Sequence, residues 1–149
     1  MMIHSKKTKY RKYQKGRAKG VDTRADVHFG TYGIKALIAS RITEKQLEAC
    51  RVAITRKIKK VGKIWTRVYP DIPVSAKPTE VRMGKGKGAI DHWMCRVKAG
   101  KIIFEIDGVS TELAKRALML GASKLPIHTA IVTKKATINI GKTETPSVL

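Results

Sequence analysis

The hydrophobic positions in the first part of the chain predict a strand followed by a helix. Residues 27–38 (VHFGTYGIKALI) are apolar and aromatic with two interspersed glycines, which is typical of a strand that enters a folded domain. Thr43 is a suitable N-cap and Gln46 completes a capping box, so we expect the helix to begin there. The helix should pack one narrow apolar stripe on the core, formed at helical spacing by Leu47, Cys50, Ile54, Ile58 and Val61.

The middle of the chain predicts one further strand and a rigid connection. After Gly62, which we expect to stop the helix, residues 63–70 (KIWTRVYP) alternate as a half-buried strand does. One face of that strand should carry Ile64, Thr66 and Val68. The next segment, 70–78 (PDIPVSAKP), contains three prolines, which cannot donate to a strand ladder. This segment is therefore predicted to be a stiff extended loop.

The second half of the chain predicts a hairpin, a helix and a last strand. Residues 92–98 and 101–106 are strand-like and flank Ala99-Gly100, a turn short enough for a hairpin. Ser110 is placed to cap the helix that follows. Residues 125–133 (LPIHTAIVT) are again β-like. The apolar face of the second helix is predicted to include Leu113, Ala117 and Leu120.

These elements predict one α+β domain over residues 21–133, with mixed antiparallel β-structure and two main helices. Residues 1–20 have no apolar period, so we interpret them as a basic arm that orders on a polyanion; a merely solubilising tail is the alternative. Residues 134–149 are predicted to be a loosely held tail. The chain contains no internal repeat and no second apolar core.

Charge is the property that points to a partner. The 149 residues carry 32 Lys and Arg against 11 Asp and Glu, a formal net charge of +21. Such a charge repels itself unless a polyanion is near, and nucleic acid is the commonest polyanion. A membrane surface is the second candidate, but no uncharged stretch approaches the ~18–20 residues of a bilayer span. We therefore expect a nucleic-acid partner and no membrane.

The residues that could perform chemistry do not form a catalytic or metal-binding pattern. The histidines are scattered, without an i,i+4 pair or a neighbouring Cys or carboxylate cluster. Cys50 and Cys95 stand alone in apolar surroundings and are interpreted as reduced core thiols. We predict that the protein is not an enzyme and uses no cofactor and no metal.

Two basic segments are candidates for RNA contact. In the first helix Arg56, Lys59 and Lys60 point away from the apolar stripe and Arg51 lies on its flank. We assign these side chains to RNA rather than to a merely solvated face. In the arm the eight basic residues are accompanied by tyrosines that could stack on bases. The predicted rRNA-binding residues are Lys6, Lys7, Lys9, Arg11, Lys12, Lys15, Arg17 and Lys19 of the arm and Arg51, Arg56, Lys59 and Lys60 of the helix.

A third candidate is the glycine-rich loop in residues 80–93 (EVRMGKGKGAIDHW). It is not a P-loop, because no Ser or Thr follows either lysine, and it is not GxGxxG, because Asp91 takes the place of the last glycine. Glycines allow a backbone to approach RNA closely, and the interspersed basic side chains suit phosphates. The alternative is a flexible linker. The loop residues assigned to RNA or tRNA are Arg82, Lys85, Gly86, Lys87 and Gly88.

Aromatic residues amount to 5%, and no aromatic motif of a single-strand-reading module occurs. We therefore expect phosphate contacts and RNA shape to dominate binding. From the residues alone, a structural RNA-binder, a transient RNA chaperone or assembly factor and a basic enzyme acting on RNA all stay open, the last disfavoured by the missing catalytic cluster.

Over residues 6–133 the sequence resembles the L-sixteen family of large-subunit ribosomal proteins, in its bacterial and organellar form. The blocks that carry the resemblance are KKTKYRKYQKGRAKG (6–20), FGTYGIKAL (29–37), the helix-to-strand segment 43–73, KPTEVRMGKGKGAIDHW (77–93) and KLPIHT (124–129). The start, Met-Met-Ile-His-Ser, departs from the family's usual Met-Leu-x-Pro and leaves the path of residues 1–5 open.

The resemblance implies a hammerhead-type α+β fold and a place in the large ribosomal subunit. The protein would bind rRNA at the base of the central protuberance, near 5S rRNA and neighbouring large-subunit proteins. Its arm would pass between rRNA helices toward the peptidyl-transferase region, and the loop at 82–88 would lie near the corridor of aminoacyl-tRNA. The ribosome in question could be that of a bacterial cytoplasm or of an organelle, either mitochondrion or plastid.

Overall fold

A computed structural model describes residues 8–23, 26–59 and 61–134. These ranges contain two α-helices and seven β-strands, in the order β1 (Tyr32–Ala36), β2 (Ser40–Thr43), α1 (Glu44–Ile58), β3 (Lys63–Thr66), β4 (Ile72–Ala76), β5 (Ala89–Val97), β6 (Ile102–Asp107), α2 (Thr111–Ala122) and β7 (Thr129–Thr133). The predicted α+β class with two main helices is confirmed. The predicted tail after Lys134 and the first seven residues lie outside the described part of the chain.

The strands form two antiparallel sheets. One has four strands in the order β3-β6-β1-β7, and the other has three in the order β2-β5-β4. Both helices and both sheets contribute to the main core, in which Phe104, Ile34, Ile54 and Leu118 are fully buried. Ile72, Val74 and Met94 form a smaller cluster on the three-stranded sheet.

Helix α1 begins as predicted. Thr43 is the N-cap, its backbone N–H donates to Oε1 of Gln46 at 2.9 Å, and the Gln46 N–H donates back to the Thr43 hydroxyl at 3.4 Å. The predicted stripe is buried from Leu47 to Ile58. Val61 was wrongly included: Lys59 adopts a left-handed conformation with φ of 52°, so the helix ends before Val61, which is 72% exposed. The stop is therefore made at Lys59 rather than at Gly62.

The predicted hairpin around Ala99-Gly100 is wrong. β5 belongs to the three-stranded sheet and β6 to the four-stranded sheet, so the turn carries the chain from one sheet to the other. Gly100, with φ of +88°, donates its N–H to the Ala36 carbonyl at 2.7 Å, and the Ala36 N–H donates to the Lys101 carbonyl at 2.9 Å. Both segments therefore find partners in other strands, and sequence proximity did not decide the pairing.

The proline-rich segment was predicted as a loop, but its middle is strand β4. Pro73 lies opposite Trp93 in the register with β5, and β4 is an edge strand, where a missing N–H is tolerated. The strand predicted at residues 63–70 is observed in its first half, since β3 covers Lys63–Thr66. Ile64 in the strand and Val68 beyond it pack against the core. Thr66, however, is exposed.

Helix α2 faces the core differently from the prediction. Ala117 and Leu118 are fully buried, whereas Leu120 is 49% exposed and was wrongly assigned to the buried face. Ser110 occupies the N-cap position, but its side chain makes no capping hydrogen bond. Gly121 allows α2 to approach α1, because a Cβ there would lie 2.6 Å from Cγ1 of Ile54. The glycine thus belongs to the contact between the helices.

Candidate nucleic-acid interface

The described part of the arm, residues 8–20, forms no helix and no strand. The basic side chains assigned to RNA in this range are all exposed: Lys9, Arg11, Lys12, Lys15, Arg17 and Lys19. The arm joins the domain where Val21 bridges to Ala99 and the Asp22 N–H donates to the Ala99 carbonyl at 2.7 Å. Lys6 and Lys7 lie outside the described residues.

Two arginines of the three-stranded sheet contact the arm near its middle. The Arg41 guanidinium donates to the Gly16 carbonyl. A Cβ at Gly16, where φ is +60°, would lie 2.6 Å from Nη1 of Arg96, so the arm passes close to β2 and β5. Arg17, Lys19 and Arg41 line an open cavity of about 420 Å³. The arm therefore adds its charge to charge already present on the sheet.

The arm and the glycine-rich loop meet at Lys87. The Lys87 ammonium donates to the Tyr13 carbonyl at 2.5 Å, and the Lys12 ammonium donates to the Lys87 carbonyl. The two segments are about 75 residues apart in sequence. The structure thus brings together two of the three predicted RNA-binding segments. We call the surface formed by residues 8–20 and 82–88 the arm–loop surface.

Three consecutive residues of the loop have a positive φ. Gly84 and Gly86 have φ of +102° and +89°, which glycine adopts without strain, and Lys85 between them is left-handed as well, with φ of +52°. A Cβ at Gly84 or Gly86 would meet open space, so neither glycine is required by packing. The Lys77 ammonium donates to the Gly84 carbonyl and holds the base of the loop.

The side chains of the loop point into open surroundings. Arg82, Lys85 and Lys87 are all exposed. Met83 is 94% exposed, which places it far from the core. Gly88 differs from Gly84 and Gly86, because a Cβ there would lie 2.2 Å from the Ala76 carbonyl oxygen. A glycine is therefore required at position 88 by the close approach of the loop to β4.

The basic residues of α1 have surroundings of their own. Arg51 is engaged by Glu48 one turn earlier, with Nη2 and Oε1 at 2.6 Å. Hydrogen bonding to Arg51 is the main cause that lowers the pKa of Glu48. Arg56 lines a groove of about 350 Å³ together with Leu120 and Lys124. Lys59 is exposed at the end of the helix, and Lys60 lies outside the described residues.

Sequence reasoning missed three basic side chains beside the arm: Arg41, Arg96 and Lys98. All three are exposed. A signal for two of them existed, since Arg96 and Lys98 alternate with the buried Cys95 and Val97 along β5 and its exit. Arg41 precedes the buried Ile42 on β2, opposite Arg96 in the register. These side chains extend the positive charge from the arm onto the sheet.

The cysteines provide no reactive thiol, and the described ranges contain no metal site. Cys50 and Cys95 are free and buried, and burial raises their pKa to about 12 and about 11, as expected for core thiols. No group of His, Cys, Asp or Glu in residues 8–23, 26–59 and 61–134 could hold a metal ion. Among the described helices, none is long and apolar enough to cross a bilayer.

Comparison with known proteins agrees with the resemblance in the sequence. The family model described as ribosomal protein L16p/L10e matches residues 5–132. The large ribosomal subunit protein uL16 of Chelativorans sp. (strain BNC1) is 54% identical over 136 residues, which are 91% of this chain and 99% of that protein. The protein of the same name from Sinorhizobium medicae has the same identity and coverage. That from Caulobacter vibrioides is 54% identical over 134 residues, 89% of this chain and 94% of the relative.

Proposed function

The chain belongs to the ribosomal protein L16p/L10e family, and from that premise we propose that it binds rRNA of the large subunit through the arm–loop surface. It is a structural ribosomal protein and not an enzyme. The finer placement follows the resemblance: the base of the central protuberance, near 5S rRNA and neighbouring large-subunit proteins. The loop would support the corridor of aminoacyl-tRNA near the peptidyl-transferase region.

The contact between the arm and the loop is the observation that carries this proposal. Lys12 and Lys87 exchange hydrogen bonds with backbone carbonyls across the two segments. Lysines placed so close together repel each other unless anions surround them, and the described arm contains no acidic residue between Thr8 and Gly20. RNA phosphates supply such anions at regular spacing, so the surface suits an RNA strand or the edges of two RNA helices.

Sedimentation tests membership in the large subunit. In sucrose gradients at high magnesium, followed by a salt wash, a structural protein remains with large subunits. A transient RNA chaperone or assembly factor, the alternative function, would instead leave the subunit in the wash. Release of the wild-type chain from mature subunits under these conditions would contradict the proposal.

A salt titration tests the arm–loop surface directly. With roughly six to ten phosphate contacts, affinity for structured RNA should fall ~10³–10⁵-fold between 50 and 200 mM salt. Changing Arg11 and Lys15 to Gln should reduce the slope by ~0.7–0.9 for each phosphate that the variant no longer neutralises. The matched control removes charge from the exposed face of α2, with Lys115→Gln and Arg116→Gln. Equal slopes for both variants would remove the arm from the interface.

A further inference from the structure

A cavity between the arm and the edge of the three-stranded sheet has aromatic walls. Tyr10 and Tyr13 come from the arm, and Tyr69 precedes β4; with Asp71 and Pro73 they line about 280 Å³. The three tyrosines are 62%, 45% and 49% exposed, so each presents much of its surface to the solvent. The volume lies at the lower end of the ~300–1,000 Å³ usual for small-molecule pockets. An occupant should therefore be small, planar and largely apolar on its faces.

A second pocket adjoins the first one and is strongly basic. It occupies about 410 Å³ and shares Tyr69 and Asp71 with the aromatic cavity. Its cationic wall includes Arg96, Lys98 and Lys101. Lys101 also faces Asp22 at 3.4 Å, whereas Arg96 and Lys98 are exposed on β5 and at its end. The second pocket thus suits an anion adjacent to a planar group.

We propose that these two pockets together bind one unpaired nucleotide of an RNA strand, with the base among the tyrosines and its phosphate at Arg96 and Lys98. Every nucleobase has a π-face on which tyrosine can stack, and the neighbouring cations match the phosphate charge. The inference rests on the proposed function, because rRNA would supply the nucleotide. It adds base stacking to a surface otherwise expected to contact phosphates.

A nucleotide fits the pair of pockets better than a protein side chain does. An acidic peptide would satisfy Arg96 and Lys98, but an acidic side chain has no aromatic face to lie against the three tyrosines. The exocyclic amino group of a base, in contrast, can donate to the Asp71 carboxylate while the ring lies against Tyr69. The site should therefore prefer cytosine, which carries such an amino group, over uracil, which does not.

Short RNA probes separate the base from its phosphates. We expect the full-length chain to bind hexacytidylate roughly 5–100-fold more tightly than a hexamer with the same phosphates and no bases. Tyr69→Ala, and Tyr10→Ala with Tyr13→Ala, should abolish most of this difference. Tyr69→Phe, which keeps the ring, should retain it, and Met119→Ala on the exposed side of α2 should change nothing. Thermal unfolding of each variant checks that the half-exposed tyrosines are not needed for folding.

Asp71→Ala tests the preference between bases. Removal of this negative charge should strengthen binding of both hexamers to the basic surface, while the ratio of affinities for hexacytidylate and hexauridylate falls toward one. A ratio that stays unchanged would contradict the assigned role of Asp71. Equal affinity of the wild-type chain for the abasic and base-containing hexamers would overturn the nucleotide site as a whole.

The outcomes distinguish this inference from the proposed function. If the wild-type chain sediments with large subunits but binds both hexamers equally, the proposed function stands and the nucleotide site is overturned. If it discriminates between the hexamers and leaves the subunit in a salt wash, the site is supported and membership in the subunit fails.

Discussion

The backbone N–H of Gly30 donates a hydrogen bond of 2.9 Å to Oε2 of Glu105, a carboxylate with no exposed surface. The Phe29 N–H donates to the same oxygen at 2.6 Å, and the Arg67 guanidinium pairs with Oε1. Arg67 in turn lies over the Phe29 ring, 4.8 Å from its centroid. The buried carboxylate of Glu105 in the four-stranded sheet is thus fully paired, and its hydrogen bonds hold the segment that precedes β1.

We expect Glu105→Gln to lower the free energy of unfolding by about 1–3 kcal/mol, because one of its donors would be left facing an amide N–H₂ group. Burial would raise the pKa of Glu105, but hydrogen bonds from the Gly30, Phe29 and His28 backbone, together with Arg67, lower it below its ordinary value. A lowered folded-state pKa stabilises the fold above the unfolded value of ~4.3, and this contribution is lost as pH falls through the folded value.

Urea unfolding at neutral pH and below about pH 4 measures both effects. The difference in stability between wild type and Glu105→Gln should shrink in acid. The control is Glu112→Gln, because that side chain is exposed on α2 and its ion pair with Arg116 is long, at 4.0 Å. A difference independent of pH would mean that the charge of Glu105 does not contribute.

The two sides of α1 should respond oppositely to truncation. Ile54 is fully buried and contacts α2 across Gly121, so Ile54→Ala should destabilise the fold by ~2–5 kcal/mol. Arg56 is exposed, so Arg56→Ala should leave stability nearly unchanged while weakening attachment to RNA. Chemical denaturation and RNA binding of both variants check this. Unfolding by Arg56→Ala, with a stable Ile54→Ala, would show that the faces were inverted.

Local signals were sufficient to locate both helices but insufficient for strand pairing. The capping box at Thr43 and Gln46 is a contact over three residues, so the sequence displayed both partners. The assignment of β5 and β6 to separate sheets depends on partners far away in sequence, such as Ala36 at Gly100. No periodicity along the segment 92–106 contains that information.

The same contrast between local signals and long-range contacts applies to the candidate surface. Composition identified the arm and the loop, because charge and glycine content are local properties. Their contact at Lys87 and the cavity between Tyr13 and Tyr69 depend on tertiary structure and could not be read from spacing. The carboxylate of Glu105 was visible as an acid inside an apolar strand, but its donors Phe29 and Gly30 were not.

Hydrogen exchange tests the prediction that the arm orders on RNA. Residues 8–20 contain few apolar groups and no regular structure, so their amides should exchange rapidly in the free chain. Binding to rRNA should protect them, most clearly around Tyr13 and Gly16, where the arm contacts Lys87 and Arg41. Strong protection already present in the free chain would show that the domain alone holds the arm.

The glycine-rich loop should matter after folding and assembly rather than for them. Arg82, Lys85 and Lys87 are exposed, and none of them contributes to the core. We therefore expect Arg82→Ala, and Lys85→Ala with Lys87→Ala, to fold and to join large subunits. The proposed position near tRNA predicts slower accommodation of aminoacyl-tRNA or poor final maturation of the subunit. Normal elongation by fully assembled ribosomes with these changes would show that the loop is a linker.

Gly86 separates backbone conformation from charge in the same loop. Its φ is +89°, which a β-branched residue rarely adopts, although a Cβ would meet nothing within 4 Å. Gly86→Val should therefore rearrange residues 84–86 without unfolding the domain, and it should impair elongation although all the charges remain. Gly88→Ala is the contrasting variant, because its Cβ would collide with the Ala76 carbonyl oxygen and disturb β4. Thermal unfolding should reveal a loss of stability for Gly88→Ala and little for Gly86→Val. The reverse order of stabilities would mean that the backbone at Gly86, rather than the close approach at Gly88, supports the fold. Normal elongation by Gly86→Val would show that the loop does not require the positive φ.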